Sequence, residues 1–295
     1  WLRTLYAERP LDAVLAAAWG RQTGGQGKRQ HRDSPPPKDD SWMKPWWRKE
    51  RLEQAVLHLA ARRAQRMLWW GYDDIIALSG GNITAFLHLC HKVWDIFLKR
   101  EYLNPPEKRI NPLSGQTPIP ENLQAAGIQG ASADWYRKLG EQPGGDVRRR
   151  FIEQLGKRLR HQLRDDRRMS YPGANGFSLA REELEADHSP NREMWRFLQD
   201  AVGYGDLHAV SHTTKNKAGE ARIKFYLNPI LSPAFQLPAA HTKEPLYWKI
   251  AEVMTLAQKA ELPFALKEPA LIAGEEQPDK APLIEDPSQL KLFGD

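Results

Sequence analysis

Nine basic residues are the groups in this chain best suited to act on a charged ligand. Arg148, Arg149 and Arg150 open one helical stretch, and Arg192 and Arg196 lie one helical turn apart on another. Lys215, Lys217, Arg222 and Lys224 surround a turn between two strand-like runs. Cations placed this way can neutralise phosphate oxygens, and the formal net charge of +6 agrees with that use. Other candidates fail on spacing. Gly24-Gly25-Gln26-Gly27-Lys28 imitates a phosphate loop, but the position needing the first glycine is Gln22, and Lys28 is followed by Arg29 instead of Ser or Thr. His88 and His91 share one helix side while Cys90 points elsewhere, and no second ligand pair follows, so no metal site is expected. Asp73 and Asp74 suit a helix N-terminus, where acids are favourable. No Gly-x-Ser-x-Gly surrounds Ser170, Ser178 or Ser211. No catalytic residue and no cofactor site are expected in this stretch.

The elements that carry these residues are mostly helical. The longest apolar pattern follows Ser79-Gly80-Gly81-Asn82, whose side chains can cap a helix start. Ile83, Phe86, Leu87, Cys90, Val93, Trp94 and Phe97 then recur at i, i+3, i+4 spacing and predict an inward-facing stripe. Upstream, a helix over residues 1–20 restarts at Pro10, and a second runs over 46–70. Residues 21–41 read as a flexible basic loop. Five of the eleven tryptophans (Trp42, Trp46, Trp47, Trp69 and Trp70) suggest an aromatic seam between helices.

Residues 1–103 thus form one helical domain, and 104–146 a proline-rich connector holding a helix at 121–139. A basic amphipathic helix follows over 147–168, with Phe151, Leu155, Leu159 and Leu163 inward. Short helices are expected at 180–187 and 189–203. Strands are expected at 206–214 and 221–227, joined by Lys215-Asn216-Lys217-Ala218-Gly219-Glu220. A proline-bearing segment and a helix over about 246–260 complete the region. Helices followed by a hairpin with a basic tip are the order of a winged helix-turn-helix over 147–262. Such a module contacts DNA or docks on a protein, and both readings stay open.

Residues 263–295 read as a disordered tail. It ends Gln289-Leu290-Lys291-Leu292-Phe293, which resembles the peptide with which bacterial replication and repair proteins dock on the sliding clamp. Gln289, Leu290, Leu292 and Phe293 would carry that contact, with Leu292 and Phe293 filling an apolar pocket. The alternative is that they fold back on their own domain.

Leu78-Ser79-Gly80-Gly81-Asn82-Ile83 leading into an apolar helix resembles the lid of origin-recognition-type AAA+ ATPases of the bacterial branch. Gln124-Ala125-Ala126-Gly127-Ile128 and Leu227-Asn228-Pro229-Ile230-Leu231-Ser232-Pro233 look similar to that branch as well. The resemblance covers residues 50–250 and implies a mainly α fold, a helical lid followed by a winged helix. It also implies DNA as partner and a homo-oligomer formed through an ATPase core. ATP and Mg²⁺ would belong to that core, in an N-terminal part that the start at Trp1 suggests lies upstream. Members of the branch are associated with phage defence or mobile elements. Such lids place an arginine just after the glycine turn to sense phosphate. The matching residue here is Thr84, whose hydroxyl cannot form a charge-assisted bond. A single cysteine, Cys90, fits a reducing cytoplasm, and no apolar run is long enough to span a membrane.

Overall fold

A computed structural model describes residues 1–23, 40–115, 117–170, 174–185, 189–213, 221–239 and 245–265. The chain is mainly helical with one small sheet. The helices are α1 (Leu2–Glu8), α2 (Pro10–Thr23), α3 (Pro45–Arg62), α4 (Gly71–Ser79), α5 (Ile83–Tyr102), α6 (Glu121–Lys138), α7 (Gly145–Asp165), α8 (Arg181–Glu185), α9 (Ser189–Gly203), α10 (Ser232–Phe235) and α11 (Ile250–Lys259). The strands are β1 (Gly176–Ala180), β2 (Leu207–Thr213), β3 (Ala221–Leu227) and β4 (Leu246–Tyr247).

The sheet order is β2-β3-β1-β4. β2 and β3 pair antiparallel from Leu207 opposite Leu227 to Thr213 opposite Ala221. β1 lies antiparallel on the other side of β3 and parallel to β4. The β2–β3 hairpin matches the sequence expectation, whereas β1 and β4 were not expected. All five residues of β1 are buried, so the strand lacks the polar–apolar alternation that would have revealed it. Phe177 stacks on Phe225 (5.3 Å between centroids) and on Trp248 (4.9 Å), which fixes β1 at the centre of the C-terminal half. β4 also shortens the helix expected over 246–260, which begins only at Ile250.

Two further expectations are corrected. The helix expected over 46–70 ends at Arg62; Ala64 takes a left-handed conformation (φ 52°), and the chain then runs irregularly to α4. Met67 and Trp69 are buried from that irregular segment, while Trp46 and Trp70 are exposed. The tryptophans therefore form no single seam. Trp42 and Trp47 join Leu15 and Met169 in a small core under α2 and α3, and Trp69 belongs to the main core.

The second correction concerns α5. Its buried residues are Ala85, Leu89, Val93, Phe97 and Glu101, an i, i+4 row. Ile83 (68% exposed) and Leu87 (58% exposed) face outward. The expected stripe was centred too far round the helix, because the row that packs on α6 begins with a small residue, Ala85. At that crossing a Cβ on Gly127 of α6 would lie 2.5 Å from the Val93 Cα. Lys92 and Asp134 form an ion pair across the same two helices.

Gly80 closes α4 in a left-handed conformation (φ 57°), and Asn82 caps α5 by accepting from the Thr84 and Ala85 N–H groups (2.8 and 3.1 Å). This turn packs on the C-terminal half: a Cβ at Gly80 would meet the Pro229 ring at 3.1 Å and the His208 ring at 3.3 Å.

Two glycines of α6 allow a test of the close packing. Gly130 has open space around its Cβ position. Gly130→Ala should stabilise the fold by about 0.5–1 kcal/mol through helix propensity. Gly127→Ala should destabilise it by about 1–3 kcal/mol through overpacking against Val93. Urea unfolding of the two variants should give opposite signs, and equal signs would mean that α5 and α6 do not cross as described.

Candidate nucleic-acid interface

The nine expected phosphate-binding cations divide by location. Arg148 is 3% exposed and bonds internally. Its Nε donates to Asp206 Oδ2 (2.6 Å), Nη1 to the Pro143 carbonyl (2.7 Å) and Nη2 to Gln142 Oε1 (3.0 Å). The guanidinium also lies over the Tyr204 ring at 3.9 Å. Arg222 (9% exposed) donates to the Ser178 hydroxyl (3.2 Å) and to the carbonyls of Ser178 (2.8 Å) and Trp248 (2.9 Å), joining β3 to β1 and β4. Lys224, on the same central strand, is also 9% exposed. Arg150 is half-buried and donates to the Ala260 carbonyl (2.9 Å). Arg148, Arg222 and Lys224 are thus buried, whereas the sequence reading had them among the phosphate-facing cations.

Arg149 is half-buried beside Asp146. Arg192 and Arg196 are exposed on the outer side of α9, while Met194, Leu198 and Ala201 point into the core. Asp200 is exposed on the same helix. Lys215 and Lys217 at the hairpin tip lie outside the described residues. So do Gln289, Leu290, Leu292 and Phe293 of the terminal peptide, the Gly24–Lys28 segment and most of the basic loop expected over 21–41.

The inward use of Arg148 was missed because its partner is 58 residues away. Asp206 follows the α9 C-terminus and Gly205, a spot that reads as an ordinary turn. Burial pushes the Asp206 carboxyl up from its ordinary value, and the Arg148 bond pulls it partly back.

On the lid-like side, Thr84 is exposed at the first turn of α5. His88 packs against Trp135 (5.9 Å between centroids), and burial lowers its pKa. Among the described residues, no three His, Cys, Asp or Glu side chains come together to hold a metal ion. No described helix is long and apolar enough to cross a membrane.

With the fold in view, the chain falls in a class: an origin-recognition-like region related to AAA+ ATPases. The family model that matches is described as ORC-CDC6-like and covers residues 21–246, more than three quarters of the chain. The chain belongs to the ORC-CDC6-like family, which bears out the resemblance seen in the lid-like turn. No curated protein and no solved structure matches it.

One acid stands apart from the cations. Glu53 on α3 is pushed up to about 7, first by burial and then by the Asp74 charge, against a hydrogen bond from the Ala239 backbone. A raised acid favours the protonated folded state, so Glu53 costs stability as pH rises from about 4.5, its ordinary value, through about 7. Glu53→Gln should therefore match the wild type near pH 4.5 and exceed it by roughly 1–3 kcal/mol at pH 8. Chemical unfolding at both pH values checks this, and an equal difference at the two would exclude Glu53 as the titrating group.

Proposed function

We propose that residues 145–227 form a winged helix-turn-helix that binds duplex DNA through α9 and the β2–β3 hairpin. In this reading the region is a non-catalytic, DNA-binding part of an AAA+ ATPase-related protein. Support comes from the order α7, β1, α8, α9, β2, β3, with β1 pairing on β3 beside the hairpin. In that arrangement the helix before the hairpin enters the major groove and the hairpin tip reaches the phosphates.

The observation that carries the reading is the sorting of the cations. Arg148, Arg222 and Lys224 are buried within the unit, whereas Arg192 and Arg196 of α9 face solvent. An outward arginine pair one turn apart on the helix before the hairpin is the electrostatic footprint expected of a groove-facing helix. The test is duplex binding by the full chain across a salt series. Replacing both arginines (Arg192→Gln with Arg196→Gln) should reduce the slope of log affinity against log salt by about 2, one for each phosphate no longer neutralised. An unchanged slope would sink the assignment of α9 as the DNA-facing helix.

A second reading, docking on a protein, is favoured by the outward apolar side of α5, where Ile83, Leu87 and Leu98 are exposed; Ile76 and Tyr72 of α4 are exposed as well. The terminal Gln289-Leu290-Lys291-Leu292-Phe293 peptide would add a sliding-clamp contact. Deleting residues 289–295 should then abolish co-elution with the clamp, and unchanged co-elution would end that proposal.

A further inference from the structure

The chain between α3 and α4 is held in place without belonging to any helix or to the sheet. From Gln65 to Trp70 it pairs with no described strand. Three side chains fix its backbone. Gln236 Oε1 accepts from the Met67 N–H (2.7 Å), and Gln236 is itself buried in a left-handed conformation (φ 57°). Asp74 Oδ2 accepts from the Trp70 N–H (2.8 Å). Gln124 Oε1 accepts from the Gly71 N–H (2.8 Å), while its amide donates to the Ile119 carbonyl (2.7 Å).

Burial alternates along this segment. Met67 and Trp69 lie in the main core, whereas Arg66, Leu68 (57% exposed) and Trp70 (46% exposed) are outside. A period of two belongs to an extended chain, and Trp70 has extended dihedrals (φ -159°, ψ 162°). Arg66, Leu68 and Trp70 therefore share one side, about 7 Å from one to the next. Gly71 (φ 85°) then turns the chain into α4, whose first turn exposes Tyr72 (73%). At the other end Arg63, the residue that closes α3, is exposed as well. An indole and a phenol held outward by a pinned backbone, with arginines leading up to them, make a prepared surface.

The chemistry of that surface selects its occupant. Ring faces open to solvent suit unstacked bases, and guanidinium groups suit phosphate oxygens. A duplex keeps its base faces inside its own stack and offers such rings nothing to stack on. A stable protein contact takes about 800 Å² from each partner, more than one short strip presents. We infer that the segment from Arg63 to Tyr72 is a contact for single-stranded nucleic acid, in which bases stack on Trp70 and Tyr72 while the phosphates run past Arg66 and Arg63. Asp73, exposed beyond Tyr72, keeps the phosphates on the α3 side. Every base has a face to stack, so the contact takes single strands of any sequence. It needs neither α9 nor the hairpin and does not rest on the winged-helix reading.

The experiment is a salt series of oligothymidylate binding by the 295-residue chain, with unfolding midpoints measured alongside. Trp70→Ala and Tyr72→Ala should each weaken binding about tenfold at every salt concentration, because stacking releases no counterions, and Trp70→Phe should keep most of the affinity. Arg63→Gln with Arg66→Gln should instead lower the slope of log affinity against log salt by about 1.4. The bond that anchors Trp70 comes from its backbone N–H, which alanine retains, so the fold should survive. If the Trp70→Ala midpoint falls all the same, Tyr72→Ala carries the test alone. Wild-type affinity in both alanine variants overturns the inference, even if the arginine pair lowers the slope. A loss with Trp70→Phe as large as with Trp70→Ala overturns it too. A wild-type chain that ignores oligothymidylate at low salt also overturns it and leaves the strip to a protein partner. Duplex binding run in parallel on Arg192→Gln with Arg196→Gln reports on α9 alone, so either reading can fail without the other.

Discussion

The C-terminal half depends on one buried ion pair, Arg148 with Asp206. Both side chains are almost fully enclosed, at 4% and 0% exposure. Enclosing two charges costs several kcal/mol each; the arginine's donors are answered, whereas Asp206 Oδ1 is buried with no hydrogen-bond partner. Arg148 is satisfied by the carboxylate, by Gln142 and by the Pro143 carbonyl, and its flat face lies on Tyr204. Through these contacts one side chain ties the turn before α7, the first turn of α7 itself, and the junction of α9 with β2. Removing either partner would strand the other charge, a loss of about 3–5 kcal/mol. The α9 helix and the hairpin therefore hold a fixed relation to α7.

That constraint also determines what the net positive charge can do. Nine cations were candidates for phosphate contact, yet the most prominent cluster in the sequence, Arg148-Arg149-Arg150, points one member into the core and half-buries the others. Arg222 acts likewise, since its guanidinium crosses the β3–β1–β4 edge by bonding two carbonyls. A count of arginines overstates the electrostatic surface when some of them satisfy buried backbone oxygens. Of the nine candidates, Arg192 and Arg196 are the ones exposed among the described residues.

Much of the helical order was legible in the sequence because it rests on local signals. The Asn82 cap, the restart at Pro10 and the Phe151-Leu155-Leu159-Leu163 row each depend on neighbours within a few residues. The failures share the opposite property. β1 is recognisable only through β3, far along the chain, and its Gly-Phe-Ser-Leu-Ala run carries no alternation because both faces are covered. The side of α5 that turns inward is decided by Gly127 on another helix, which admits the Val93 backbone and so selects the Ala85–Leu89–Val93–Phe97 row. The candidate site was legible as a composition but not as a location: Arg148 needs Asp206 to turn inward.

The lid-like turn links these themes. Gly80 brings α4 and α5 against Pro229 and His208, so the segment carrying the family's glycine turn rests directly on β2 and the loop after β3. His208 has its pKa lowered by burial at that contact, which favours a neutral ring in the joint. The residue after the turn, Thr84, contributes its backbone N–H to the Asn82 cap and leaves its side chain exposed. The turn thus has two surfaces. The inner one is rigid packing on the sheet, built from a glycine, a proline ring and a neutral imidazole. The outer one carries no cation at the position where a phosphate-sensing lid would need one. In this chain the structural role of the turn is explicit in the contacts, and a nucleotide-sensing role would have to be supplied by a residue other than Thr84.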